Sequence, residues 1–174
     1  AYNLLMPTKL KKSLPSKDQS DSKPKEEIKK VKIKIVGIGG GGGNIVSEVA
    51  RKIPNVVDFC VIDSDIKSFS GLPKNVEKIV LGEKISKGLG SGMDLELAAK
   101  FFKEDKDKIQ QKVQGYDLIV LISTLGGGIS TKISTLFAHL LESSGILSYG
   151  IFTLPFSFEG EKKLSIAKEA LTNL

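Results

Sequence analysis

Apolar and polar residues alternate through residues 31–36, Val-Lys-Ile-Lys-Ile-Val, and the apolar members are β-branched. That pattern predicts a first strand. Five glycines, 39–43, follow at once. From residue 44 the period changes: Ile45, Val46, Val49 and Ile53 recur at helical spacing, predicting a helix over 44–53 that Pro54-Asn55 ends. Residues 56–62 predict a second strand with the polar exit Asp63-Ser64-Asp65, and 78–81 a short third one. Residues 94–113 predict a helix with Leu95, Ala98, Ala99, Phe102 and Ile109 inward; the charged block 103–108 is where it would break in two. Residues 116–124 form the most apolar strand, and its unbroken Leu118-Ile119-Val120-Leu121-Ile122 run predicts burial on both faces. Residues 129–143 carry a helical stripe of Ile133, Leu136, Phe137, Leu140 and Leu141, stopped at Gly145. A strand over 146–153, a loop over 154–158 and a helix over 159–174 complete the chain.

Strand and helix alternate throughout, which predicts an α/β fold: a Rossmann-like, mostly parallel sheet with helices on both faces. In such sheets a ligand lies beyond the carboxyl ends of the strands. The glycine-rich segments 39–43, 87–92 and 126–128 all fall on the path from a strand to the next helix.

Charge divides the chain of 174 residues into two parts. Residues 1–30 hold 8 Lys and 4 Asp+Glu and no glycine, so most of the net +6 sits there. They show neither helical nor strand period and read as a disordered basic arm ahead of one domain over 31–174. With the excess charge in the arm, the domain lacks the basic face of a nucleic-acid binder. The run 118–122 is far shorter than the roughly 20 apolar residues of a membrane-spanning helix, so no direct membrane insertion is expected. A lone Cys60 and a lone His139 exclude an internal disulfide and argue against a structural zinc site. Cys60, inside an apolar strand, reads as core.

A phosphate chain needs several donors at close range, and backbone amides free of side chains at a helix N-terminus supply them. Residues 39–43 stand where such a cradle belongs. They also fit a dinucleotide fingerprint, Gly37-x-Gly39-x-x-Gly42, with Asp63 at the end of the second strand as a ribose-binding acid. An NAD(P)-binding Rossmann domain is therefore a competing reading. No P-loop motif is present. The second cluster, 126–128, follows the central strand and opens the next helix; two such loops suit one nucleotide held from both sides.

Four stretches carry a resemblance: Gly37-Ile38-Gly39-Gly40-Gly41-Gly42-Gly43-Asn44, Lys87-Gly88-Leu89-Gly90-Ser91-Gly92, Leu125-Gly126-Gly127-Gly128 and Thr153-Leu154-Pro155-Phe156-Ser157-Phe158-Glu159-Gly160. In this order and spacing, residues 31–174 resemble the nucleotide-binding half of FtsZ, the tubulin-like cell-division GTPase family. The resemblance implies GTP or GDP as ligand, with Mg2+ accompanying it. It implies that Gly40, Gly41, Gly42, Gly43 and Asn44 cradle the phosphates, Asn44 also positioning the guanosine. Ser91 and Gly92 would approach the γ-phosphate, and Gly126, Gly127, Gly128 and Thr131 would wrap the phosphates from the other side. Glu159 would accept from the ribose hydroxyls, Lys163 stands where the family usually has Arg, and Asp65 keeps an acidic position. Other readings of the same residues are plain: Asn44 as a helix cap, Glu159 as a first-turn helix acid, Asp63 as a turn residue.

The family's Thr-Gly-Thr-Gly after the three glycines is here Ile129-Ser130-Thr131-Lys132, so Ser130 and Lys132 put side chains where glycines meet the phosphates. Lys132 either offers them a cation or points outward. Asp63 replaces the family's usual Asn. The resemblance further implies a cytoplasmic protein at the division site. It would polymerise head to tail with itself and meet division-site adaptor proteins. GTP hydrolysis would need a neighbouring subunit and parts of the family's chain that follow the stretch matched here, so this chain alone is expected to be inactive. A non-hydrolysing paralogue is the remaining alternative.

Overall fold

The computed structural model describes residues 30–53 and 55–174. The arm expected over 1–30 lies, but for Lys30, outside them. Five strands make one sheet: β1 (Ile33–Ile38), β2 (Asp58–Asp63), β3 (Val76–Val80), β4 (Leu118–Thr124) and β5 (Leu147–Thr153). Their order is β3-β2-β1-β4-β5 and every pairing is parallel. The helices are α1 (Gly39–Lys52), the single turn α2 (Glu83–Ser86), α3 (Leu95–Val113), α4 (Gly128–Ser143) and α5 (Glu161–Thr172). On one face Val46 and Ala50 of α1 pack with Phe59, Val61 and Ile122. On the other, Phe101, Ile109, Ile133 and Phe137 of α3 and α4 cover Val36, Cys60, Ile119 and Leu121. The parallel sheet with helices on both faces is as the alternation predicts.

The five glycines are not a connecting loop: α1 starts at Gly39, so they form its first turns. Its buried stripe is Gly39, Gly42, Gly43, Val46, Ser47 and Ala50, while Ile45 and Ile53, expected inward, are exposed. The cause is a close approach of backbones. A Cβ on Gly42 would stand 2.5 Å from the Ile122 carbonyl oxygen of β4. The glycine face settles directly on the sheet and turns Ile45 away from it. Asn44, inside α1 and exposed, does not cap it.

The helix α3 runs unbroken through 103–108, because Phe101, Phe102, Ile109 and Val113 seat it on either side of that block. Phe101, not anticipated from the pattern, is fully buried, whereas Leu95 and Ala99 are half-buried. The final helix starts at Glu161; residues 157–159 are a separate 3-10 turn.

Alternation places Lys32 and Lys34 on one side of the first strand, yet only Lys32 is exposed. Lys34 is buried, with its Nζ 2.8 Å from Glu77 Oε2, 2.7 Å from the Lys112 carbonyl and 4.8 Å over the Tyr116 ring. Lys112 Nζ lies 2.6 Å from the other Glu77 oxygen. A buried ammonium is tolerated where its donors are met in this way. This network sits at the amino ends of the strands. At the sheet edge, Leu147, Tyr149 and Ile151 of β5 are 68%, 63% and 46% exposed. They continue the α1 face of the sheet beyond the helix, opposite Leu118, Val120 and Ile122.

Candidate functional site

The carboxyl ends of the strands open into a cavity of about 730 Å3. The exit of β1 brings Gly39, Gly40 and Gly41 to it, and that of β4 brings Thr124, Leu125, Gly126 and Gly127. The two amide-rich turns, far apart in sequence, therefore face one space. The buried Ser123 hydroxyl lies between them, 3.2 Å from the Ser130 carbonyl and 3.4 Å from that of Ile38. Thr131 Oγ1 accepts the Gly126 N–H at 2.8 Å and fixes the β4 turn. A Cβ on Gly41 would fall 2.5 Å from Cγ2 of Thr124, so the first turn fits against the second strand exit only without one. The first amides of α1 and α4 lack intrahelical partners and favour an anion.

The exit of β2 supplies Asp63, Ser64 and Asp65. Asp63 Oδ1 accepts the N–H groups of Ser64 (2.6 Å) and Asp65 (3.2 Å). The loop 89–93 is tied to this exit by the Gly90 N–H, which donates to the Ser64 carbonyl at 3.2 Å, and by a bridge between Asp65 and Leu89. It brings Ser91 and Gly92 to the cavity, with Gly128 backed against the Gly92 carbonyl. Beyond β5, Glu159 Oε1 accepts the Phe156 N–H at 3.0 Å and its Oε2 lies 3.4 Å from Lys163 Nζ. Glu159 thus closes the short turn rather than opening α5.

Burial raises the Asp63 carboxyl above the usual carboxylate range, against the N–H of Asp65, the Ser68 hydroxyl and the Ser64 N–H, which lower it; the Asp65 charge adds to the rise. Glu159 is held below that range by the Phe156 N–H, with Lys163 contributing. The hydroxyls of Ser64 and Ser91 are buried and lack a hydrogen-bond partner among the described residues. His139 lies on α4 outside this cavity, exposed and 3.7 Å from Glu142. The Cys60 thiol is buried in the core and pushed up to about 12 by that burial.

Of the residues singled out from sequence, the cavity gathers Gly40, Gly41, Asp65, Ser91, Gly92, Gly126, Gly127, Ser130, Glu159 and Lys163. Gly42, Gly43, Asn44 and Gly128 stand behind this lining. Thr131 and Lys132 line a different groove, between α4 and α5. Sequence reasoning passed over Ser64 and Thr124 as contributors, although each lies at the end of a strand that feeds the cavity. Backbone amides and neutral hydroxyls facing one space can bind phosphate oxygens, and a carboxylate at the rim can accept from a sugar diol. Among the described residues no group of three or more His, Cys, Asp or Glu could hold a metal ion.

Residues 32–174 match the model of the tubulin/FtsZ family, GTPase domain. A cell division protein FtsZ of Wigglesworthia glossinidia brevipalpis is 34% identical over 132 residues, covering 76% of this chain and 34% of that protein. An FtsZ dimer of M. jannaschii superposes with a TM-score of 0.77 at 29% identity, over 83% of this chain and 42% of the other. A GDP-bound CetZ1 monomer of Haloferax volcanii gives 0.70 at 28% identity, over 82% and 47%. The chain spans about a third of the length of the curated relative and less than half of each solved one. No helix of the described residues is long and apolar enough to cross a membrane. A parallel sheet whose two glycine turns share one cavity, matched over nearly the whole described length, places the chain in the tubulin/FtsZ family, of whose GTPase domain it is a member.

Proposed function

We propose that this chain binds GTP and GDP in the cavity at the strand ends, Mg2+ accompanying the phosphates, as the nucleotide-holding part of a tubulin-like cell-division protein. The observation that carries the reading is the meeting of residues 39–41 and 126–127 on one cavity. In this reading Gly40, Gly41, Gly126 and Gly127 present amides to the phosphates, and Ser91 and Gly92 reach the terminal one. Glu159 takes the ribose hydroxyls, beside Lys163. Copies join head to tail at the division site in the cytoplasm, a neighbouring subunit completing the groups that hydrolysis needs. The dimer formed by the FtsZ of M. jannaschii supports self-association. The nicotinamide reading finds no such support.

Equilibrium binding of fluorescent guanine and adenine nucleotides tests the proposal. Saturable binding of GTP and GDP, weakened at least about tenfold for ATP, is expected, a difference of about 1.4 kcal/mol. Equal affinity for the two bases removes the guanine assignment.

One observation favours a non-hydrolysing member of the family. Ser130 is buried between the two turns, its Cβ 3.0 Å from where a Cβ on Gly39 would stand. A side chain there occupies space that glycine would leave to the phosphates. Phosphate release by Ser130→Gly, in a polymerising preparation, should exceed that of the wild type; an unchanged rate removes this reading.

A further inference from the structure

The wall that would meet a phosphate chain carries an unfavourable charge. Among the described residues lining the cavity, Asp63, Asp65 and Glu159 are acidic and Lys163 alone is basic. Lys163 is already 3.4 Å from Glu159. Asp63 is the buried member of the set, 6% exposed. Two N–H donors favour its ionised form, but burial outweighs them and the carboxyl is held above the ordinary range. Next to it along the chain Ser64 is 0% exposed, and Ser91, on the loop tied to Ser64, is 7% exposed; neither hydroxyl has a partner among the described residues. Buried hydroxyls left unpaired are uncommon, and a ligand bearing acceptor oxygens supplies what these two lack.

We infer that Asp63 is a charge gate for the nucleotide. While its carboxylate is ionised, the wall of Asp63, Ser64 and Ser91 opposes a terminal phosphate. Once protonated, the same wall offers only neutral donors and accepts it. The gate rests on the nucleotide reading above and adds to it a control by acidity. The ionisable groups that share the cavity with Asp63 are Asp65 from its own strand exit and Glu159 and Lys163 from beyond β5. The other walls bring none: α1 contributes Gly39 to Gly41, α4 contributes Ile129 and Ser130, and the loop 89–93 has no ionisable side chain. The neighbour of Asp63 on β3 is Val80. No described lysine is placed to cancel the charge of Asp63 from across the cavity without first leaving Glu159.

Binding of GTP and GDP to the wild type and to Asp63→Asn, from pH 8 down to the lowest pH at which both proteins stay folded and at fixed Mg2+, tests this. The nucleotide's own protonation is common to both proteins and drops out of the ratio. At pH 8 the variant should bind GTP about tenfold more tightly than the wild type, the size of one like charge removed from a partly screened site. The gap should be smaller for GDP and should narrow as pH falls. Saturable binding with no gap at pH 8, or with a gap constant in pH, overturns the gate and leaves the nucleotide reading standing. Absence of saturable binding in either protein overturns the nucleotide reading and the gate together. Should Asp63→Asn fail to fold, the carbon-13 resonance of the Asp63 carboxyl in the wild type reads the same coupling from the other side. Its titration midpoint must rise when GTP is added; an unmoved or lowered midpoint overturns the gate.

Discussion

At the scale of single residues, the two inner glycines of α1 have different tasks. A Cβ on Gly42 meets the backbone carbonyl of Ile122 at 2.5 Å, whereas one on Gly41 meets the side chain of Thr124. A backbone cannot step aside as a threonine rotamer can. Gly42→Ala is therefore expected to lower stability by about 1–3 kcal/mol, as overpacking does, read from urea unfolding. Gly41→Ala should cost less in the same measurement and more in nucleotide affinity, since Gly41 lines the cavity and Gly42 does not. Equal losses of stability would show that both glycines serve packing alone. The sequence makes the glycine run conspicuous, but it does not reveal that these residues are helical. Periodicity counts apolar side chains, and a helix face made of hydrogens carries no such mark; hence the misplaced Ile45 and Ile53.

At the scale of elements, the strands were legible because each is short, β-branched and closed by a turn, and the unbroken run 118–122 identified a central strand directly. The amino-end network was not legible, since Lys34 looks like every other alternating lysine until β3 and α3 bring Glu77 and the Lys112 carbonyl to it. Glu77→Gln leaves the buried Lys34 without its counter-charge. Breaking such a pair costs about 3 kcal/mol, the lower end of the usual range because Glu77 is partly exposed. Burial alone would raise the Glu77 carboxyl, but hydrogen bonds from Lys112 and Lys34 outweigh it and hold the group below its ordinary value. A carboxylate depressed in the folded state contributes stability that is present above its unfolded value of about 4.3 and lost as pH falls through the folded one. Urea midpoints of the wild type should decline below about pH 4.3, and Glu77→Gln should flatten that part of the decline. Asp63 acts with the opposite sign. Its raised carboxyl binds a proton more readily folded than unfolded, so its contribution grows as pH falls through the folded value.

At the scale of the whole molecule, β5 is an edge that no other described element covers, with Leu147, Tyr149 and Ile151 exposed. Parallel sheets are ordinarily covered on both faces, and an exposed apolar edge strand is a template for pairing. The chain should self-associate at rising concentration, seen as an increasing weight-average mass in sedimentation. Tyr149→Lys should suppress this while leaving far-UV circular dichroism unchanged. Persistence of the association in that variant would place the contact elsewhere. The assembly of the cavity was legible in outline, since alternating strands and helices put the glycine-rich segments 39–43, 87–92 and 126–128 on strand-to-helix connections at one rim. The unpaired hydroxyls and the burial of Asp63 were not, because they depend on which loop closes over which. That closure sets an order of events during synthesis. The walls come from Gly39 near one end of the described chain and Lys163 near the other. A ribosome adding about 5–20 residues per second needs roughly 6–25 seconds to pass between them. The glycine turns at 39–41 and 126–127 are therefore joined by the last of their shared wall only once Lys163 has been added.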